Sequence, residues 1–461
     1  MKTNMVIAIA VAAVVVVAAV GVVIYMSGDG PSGTRNADEK FADMSWGDVL
    51  AEARGQTVNW YLWDGDVNVN SFIDNQVAAE AAKYGVTINR IGVGDMNLIL
   101  SKVAAEVQAG KKVSGGSVDM AWLNGANFAY LKENDLLFGN EWAWTLPNTS
   151  LVDWNRALIS SDMGLPTEGY ESPWGTAQFQ LIFSEGTQAV PASITDFTSL
   201  MAWVKANPGK FTYPSLTGDD AFYGLAFVKS LLYELEYDPT LGWKEYDPAA
   251  HGGVQGWERY TPDKWEGKTQ AYFEYETRYV WNYLKEMEPN LYKVGTAVQH
   301  PLRSATNQLL KVDGTGGISL SYTYTSAGLS AEIRSGVLPA TAKPIPMQTG
   351  VADTNYVLIP VNASSKAGAM VVANILLQPD MQAQWLTLTG NGVSISPDRL
   401  APAQKDMYDD LIDRIPGSYL PDSTIEASAM PDVCGHLTDW MRSSWTKFVI
   451  NGTATPTVPP V

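Results

Sequence analysis

Between Thr57 and Glu133, segments patterned like strands alternate with segments patterned like helices. Thr57–Leu62 (TVNWYL) alternates in polarity and is rich in β-branched and aromatic residues. From Val69 to Tyr84 apolar residues recur at helical spacing (Phe72, Val77, Ala81, Tyr84), and Gly85 supplies a stop. Val86–Ile91 predicts a second strand, Met96–Ala109 a helix behind Asp95, and Ser117–Leu123 a third strand. Parallel neighbours need a crossover helix between them, so this order predicts βαβ units on a mainly parallel sheet. Open sheets of this kind hold ligands at the carboxyl ends of their strands. The loops concerned are Trp63–Asp66 and Asn124–Asn127.

The α/β style repeats further on. Trp174–Ser184 is a long β-like run that could cross from one lobe to a second. Ser193–Lys205 predicts a helix, Thr217-Gly218-Asp219 leads into another, and Gly317–Tyr324 predicts a strand. Asn355–Val361 reads as the strand that returns. The expected organisation is an N-terminal anchor or signal (1–27), a tether and lead-in (28–50), a first lobe (51–175) and a second lobe (176–348). The return strand and C-terminal helices follow (349–461). The polar, aromatic stretch Trp243–Asp263 has no evident place in this scheme.

The N-terminus bears on the compartment. Met5–Met26 is a run of 22 residues without a charge. As a helix it would extend about 33 Å, enough for the hydrocarbon core of a bilayer. Lys2 precedes it and Asp29 is the first charge after it, which orients the remainder of the chain outside the cell membrane. The run exceeds an ordinary signal-peptide core, so the expectation is a retained transmembrane helix; a cleaved signal is the rival. Ser27–Asn36, rich in Gly, Ser and Pro, reads as a flexible tether.

Charge and rare residues exclude several function classes. Lys and Arg total 31 against 49 Asp and Glu, a net charge of −18. Nucleic-acid binding needs a basic face, so a nucleic-acid partner is not expected. Cys434 is the single cysteine, and His251, His300 and His436 are the only histidines. That leaves no material for a disulfide framework or a thiolate metal site. The chain has no GxxxxGK[ST] loop, HExxH or GxSxG motif. Gly92-x-Gly94 lacks the third glycine of a dinucleotide fingerprint. The run Asp64, Asp66, Asn68, Asn70 has Val69 and Asn75 where a calcium loop needs Gly and Glu. No catalytic residue, cofactor or metal is expected, and the chain reads as a non-enzyme.

Several segments, in order, resemble a known family. They are Gly55–Asp66 (GQTVNWYLWDGD), Gly116–Phe128 (GSVDMAWLNGANF), Leu131–Gly139 (LKENDLLFG), Ser172–Phe179 (SPWGTAQF) and Ala206–Pro214 (ANPGKFTYP). The chain resembles the type II solute-binding proteins of ABC importers, in particular the YnjB-like branch related to thiamine and spermidine binders. The resemblance implies a two-lobed α/β periplasmic-binding-protein fold with hinge-crossing strands. It further implies a small-molecule solute held between the lobes and delivered to a membrane permease that works with a separate ATPase subunit. The lipid-anchor cysteine of many such proteins is absent, and here the N-terminal helix would take its place.

Candidate solute contacts follow from strand ends and crossing strands. Asp64 could pair with a cation and Trp63 could stack on one; N-capping and core packing are the plain alternatives. Asn124 and Asn127 offer amides, and Gly125 permits close backbone approach. In the second lobe Thr217 and Asp219 stand at a helix entry, and Tyr322 and Tyr324 share a strand face. Trp174 sits at the outgoing crossing strand. Asp353, Asn355 and Tyr356 begin the return strand. The acidic balance leans toward an organic cation, thiamine-like or polyamine-like, bound by a monomer through hinge closure. An extracytoplasmic enzyme on the same scaffold, or a surface sensor module, are the competing readings.

Overall fold

The computed structural model describes residues 41, 44–139, 141–184, 193–218, 221–296, 299–301, 317–324, 328–334, 336, 338, 340–414 and 422–460. The Met5–Met26 run and Asp219 lie outside these residues. Among the described residues no helix is long and apolar enough to cross a membrane.

β1 (Thr57–Trp63) pairs in parallel with β2 (Thr87–Val93) and with β3 (Met120–Trp122). The connection from β1 to β2 runs through helices Val67–Ser71 and Ala78–Lys83 with a π-helical stretch, Phe72–Val77, between them. The sequence spacing predicts an uninterrupted helix there. The wider π turn instead lets the adjacent Phe72 and Ile73 both face inward and be buried. Helix Asn97–Gln108 connects β2 to β3. Asp119 locks the start of β3: its carboxylate accepts from the N–H groups of Asn59, Ser364 and Ser365 at 2.8–2.9 Å.

A short hairpin follows, β4 (Ser161–Asp162) with β5 (Leu165–Pro166). Then comes β6 (Glu171–Gln178), succeeded almost at once by β7 (Gln180–Phe183). The minor hairpin β8 (Leu235–Glu236) with β9 (Lys244–Glu245) precedes β10 (Leu320–Thr323) and β11 (Lys343–Ile345). β7 lies between β10 and β11 in an antiparallel three-stranded sheet. The second lobe is therefore antiparallel at its centre, unlike the parallel first lobe. β12 (Gly350–Leu358) and β13 (Ala429–Pro431) complete the first sheet, in the order β13-β12-β3-β1-β2 with β6 against β12.

β6 and β12 connect two separate apolar cores. Trp174 of β6 and Val357 of β12 belong to the core that also holds Val58, Trp60, Leu62 and Trp385. Phe179, just beyond β6, and Val351 of β12 belong to the core built on Leu181, Phe227, Leu231 and Tyr322. The chain thus passes between cores from Trp174 to Phe179 and returns from Val351 to Val357. It crosses once more near its C-terminus, since Tyr408 packs in the first core and Val433, Trp445 and Phe448 in the second.

The aromatic stretch Trp243–Asp263 belongs to the second lobe. Trp243 packs edge-on against Tyr283 with ring centroids 4.8 Å apart, and its Nε1 donates to Glu286 at 2.7 Å. Tyr260 stacks on Trp265. Arg259 donates to the carbonyls of Leu232, Tyr233 and Leu235, the open C-terminal end of helix Ala221–Glu234. A guanidinium there satisfies orphan carbonyls and opposes the negative pole of the helix.

Gly175 is required where β6 crosses. A Cβ at this position would stand 2.4 Å from Nε1 of Trp385. Gly175→Ala should therefore lower the unfolding midpoint, at a cost of about 1–3 kcal/mol, the usual range for overpacking a core. Thermal unfolding of the variant beside the parent chain checks this.

Candidate functional site

Where the strands cross, the parallel sheet of the first lobe ends. β3 and β12 pair at Trp122↔Val357 and Ala121↔Leu358. Beyond Trp122 the backbone leaves the ladder, and Asn124 continues it with its side chain. Its Nδ2 donates to the Thr354 carbonyl at 2.8 Å and lies 3.5 Å from Oδ2 of Asp353, while its Oδ1 accepts from Tyr356 N–H at 3.4 Å. The next residue, Gly125, has φ +62°. Its N–H donates to Oδ2 of Asp162 at 2.5 Å, and a Cβ there would strike Sδ of Met163 at 2.3 Å. The requirement for glycine is therefore both conformational and steric.

β12 alternates faces. Thr354 and Tyr356 are buried, and their hydroxyls donate to carbonyls of Leu158–Ser161. Asp353 and Asn355 are partly exposed on the opposite face. Asp353 is the chemical centre of this face. Burial, and next the negative charge of Asp432, push its carboxyl up to about 7, and nearby Lys229 only partly offsets them. Lys229 and Asp432 are themselves buried, and Nζ lies 2.7 and 2.6 Å from the two carboxylate oxygens. The lysine is thus already committed. Asp162 is completely buried, and burial followed by the charge of Asp353 holds its carboxyl well above the usual range. Glu171 behind it is raised first by burial and then by Asp162, and neither of its oxygens has a hydrogen-bond partner. Carboxyls outnumber cations here, and burial with mutual repulsion raises Asp353, Asp162 and Glu171 above the usual carboxylate range.

The second lobe supplies an aromatic wall. Phe222 is 47% exposed, and its ring lies 3.9 Å from Tyr223 and 5.3 Å from Tyr324. Burial, then the negative charges of Asp353 and Asp432, hold the Tyr324 phenol well above its ordinary range. Tyr324 also accepts from Gln178 N–H at the end of β6.

The remaining candidates fall in different places. Asp64 and Trp63 are exposed at the carboxyl end of β1. β1 and β3 pair in parallel at Tyr61↔Ala121, so the loops that hold Asp64 and Asn124 leave the same end of the sheet. Capping of the following helix falls to Asp66, whose Oδ1 accepts from Asn68 and Val69 N–H, leaving Asp64 free of that task. Asp64 instead lies over Gly92, where a Cβ would come within 2.1 Å of its Oδ2. Trp174 is 1% exposed among Trp60, Trp122 and Trp385, with centroids 4.5–5.5 Å away. This is a packing position that stiffens the crossing strand, not a surface open to solute. Tyr322 is wholly buried against Phe179, whereas Tyr324 is half-buried beside Phe222. Thr217 is exposed; its N–H donates to Ser215 Oγ, and it lines an open depression with Arg442, Thr446 and Lys447. Asp162, Phe222, Tyr223, Lys229 and Asp432 were not legible from sequence. They reach the site through the tertiary fold, from a hairpin, a helix interior and the third crossing.

Comparison with known proteins fits this architecture. The family profile for bacterial extracellular solute-binding proteins matches residues 75–410. The chain belongs to this family. Protein YnjB of Escherichia coli (strain K12) is 33% identical to this solute-binding protein over 364 residues, 78% of this chain and 85% of YnjB. The spermidine/putrescine ABC transporter substrate-binding protein PotD of Streptococcus pneumoniae superposes with a TM-score of 0.54 at 12% identity, covering 84% of this chain and 98% of PotD. IdiA (FutA) of Trichodesmium, solved with iron and citrate, gives a TM-score of 0.51 at 12% identity, over 85% and 99% of the two chains. At such identities the structures establish the shared two-lobed fold alone. Membership of the family places this solute-binding protein outside the cytoplasm.

Proposed function

We propose that this solute-binding protein captures a small organic cation, polyamine-like or thiamine-like, between its lobes. The observation that carries this reading is the ratio of charges at the crossing strands. Asp353 and Asp432 share a single lysine, Lys229, which is already bonded to both oxygens of Asp432, and the buried Asp162 beside Asp353 adds a further carboxyl. A cation arriving beside Asp353 would supply the missing counter-charge and displace its proton. The Phe222, Tyr223 and Tyr324 rings would then hold the apolar body of the solute and add cation–π attraction. Asp64, Trp63, Asn124 and Asn355 are the first-lobe groups within the same reading, and a solute bridging both lobes would favour the closed state by its extra affinity for it. The closed form would act as a monomer, dock on an ABC permease and leave ATP hydrolysis to a separate subunit. The Met5–Met26 run would tether it to the membrane. PotD, named for spermidine and putrescine, supports this class of solute.

A thermal-shift screen of the purified full-length chain tests the proposal, with polyamines, thiamine compounds, amino acids, sugars and citrate. At a hundredfold excess over Kd a true solute adds about 2.7 kcal/mol, a shift of several degrees. The cations should give the saturable shifts. A response to citrate or sugars alone would overturn the cation reading, and turnover of a hit would favour an enzyme.

The cation reading also fixes a pH dependence. With Asp353 titrating at about 7 in the free protein, a cation must compete with its proton below that pH. Affinity should rise from pH 6 to pH 8 by about tenfold and then level off. A profile that is flat over this range would remove Asp353 from the site.

A further inference from the structure

A second acidic cluster lies in the second lobe, beside Thr349, the residue that precedes β12. Asp196, Glu234 and Glu245 each place one carboxylate oxygen within 4.8 Å of the other two. Two oxygens on opposite sides of a calcium ion stand at most about 5 Å apart, so all three could ligate one ion. The three come from different elements. Asp196 caps helix Phe197–Ala206, accepting from Ser199 N–H through Oδ1 and from Thr195 Oγ1 through Oδ2. Glu234 ends helix Ala221–Glu234, and Glu245 lies in β9.

Glu234 distinguishes this cluster from an ordinary acidic patch. It is only 4% exposed, and while Oε1 accepts from Phe197 N–H, Oε2 has no hydrogen-bond partner. The Thr349 side chain lies beside this carboxyl and partly offsets the effect of its burial. Burial, and then the negative charges of Asp196 and Glu245, push Glu234 up to about 8. Glu245 is exposed and gives an ion a path from solvent. Its neighbour Lys244 is turned to Glu236, at 3.0 Å.

We propose that Asp196, Glu234 and Glu245 form a binding site for a hard divalent cation of the calcium type. The donors are all oxygens, which suits calcium or magnesium and disfavours zinc or copper. The ion would ligate the orphaned Oε2 of Glu234, with Thr349 at hand and water completing the shell on the Glu245 side. It would fasten β9, and with it the aromatic stretch that begins at Trp243, to two helices of the second lobe.

The test uses the full-length chain, stripped with EDTA and titrated with calcium chloride. Equilibrium dialysis should find one ion per chain, and saturating calcium should raise the thermal midpoint by a few degrees. Glu245→Gln, an exposed substitution that leaves the fold intact, should abolish both effects. Glu234→Gln should abolish binding and raise the metal-free midpoint, because it removes a repelled buried carboxyl. Asp353→Asn should leave calcium binding unchanged. Absence of bound calcium in the parent chain would overturn the proposal. So would binding that survives Glu245→Gln and Glu234→Gln but is lost in Asp353→Asn, since the ion would then sit at the crossing strands.

Discussion

Asp353→Asn should weaken binding of the cationic solute by thirtyfold to several thousandfold, corresponding to about 2–5 kcal/mol for removing one partner of an enclosed charge pair. Isothermal titration of the parent and variant chains with the best cation from the screen measures this. The substitution keeps the size of the side chain, so Asn124 and the β12 backbone should hold their places. Stability should move the opposite way. A carboxyl raised to about 7 binds its proton more tightly in the folded chain than in the unfolded one. Folding is then favoured below the unfolded value and loses that advantage as pH rises toward 7. Asn cannot titrate, so without solute the variant should gain on the parent chain between pH 4 and pH 7. Weaker binding together with a higher solute-free midpoint at pH 8 would mark a functional carboxylate and not a structural one. Unchanged affinity would move the solute elsewhere.

The second large effect concerns stability. Lys229 and Asp432 are 4% and 8% exposed, and they face each other across helix Ala221–Glu234 and the segment after β13. Lys229→Met would leave Asp432 as an unpaired buried charge beside Asp353. Breaking such a pair from one side costs about 3–5 kcal/mol, which for a lobe of this size lowers the midpoint by roughly ten degrees. Lys229→Met combined with Asp432→Asn should recover part of the loss, because no lone charge remains. Cys434 N–H, which donates to Asp432 Oδ1 at 3.2 Å, would keep an acceptor. A single variant as stable as the parent would show that Asp432 can shed its charge at little cost.

The contrast between these two sites explains what the sequence could and could not disclose. The first lobe is legible because its βαβ order is local: Thr57–Leu62, Val86–Ile91 and Ser117–Leu123 each signal a strand within a few residues. The loop at Asn124 and Gly125 follows from strand polarity alone. Asp353 could be placed among the residues opening the return strand, but its prominence arises from Asp432 and Lys229, which lie 79 and 124 residues away in sequence. No local pattern joins those three. Lys229 reads as an ordinary member of an apolar helix, and Asp432 as a charge in a loop. Trp174 shows the converse: its place on the crossing strand is legible, but its burial depends on Trp385, far along the chain. The π turn at Phe72–Val77 is hidden because helical spacing and a one-residue widening share most of their apolar positions. The antiparallel centre of the second lobe is hidden because β7, β10 and β11 are short and far apart.

The connection between the lobes has a mechanical consequence. β12 is flanked by β6 along most of its length and by β13 at its start, so the lobes are joined by a narrow hydrogen-bonded plate and not by loose cords. A plate flexes readily across its thin dimension and resists shear within its plane. Relative movement should therefore be close to rotation about one axis lying across the strands, with little sideways sliding. The register slip at Asn355/Tyr356, where the ladder is locally interrupted, is the softest line across that plate. Asp353 lies two residues from it. The axis of opening and the carboxylate proposed to meet the solute would then nearly coincide, and this carboxylate would travel least while the Phe222 wall swings through the widest arc.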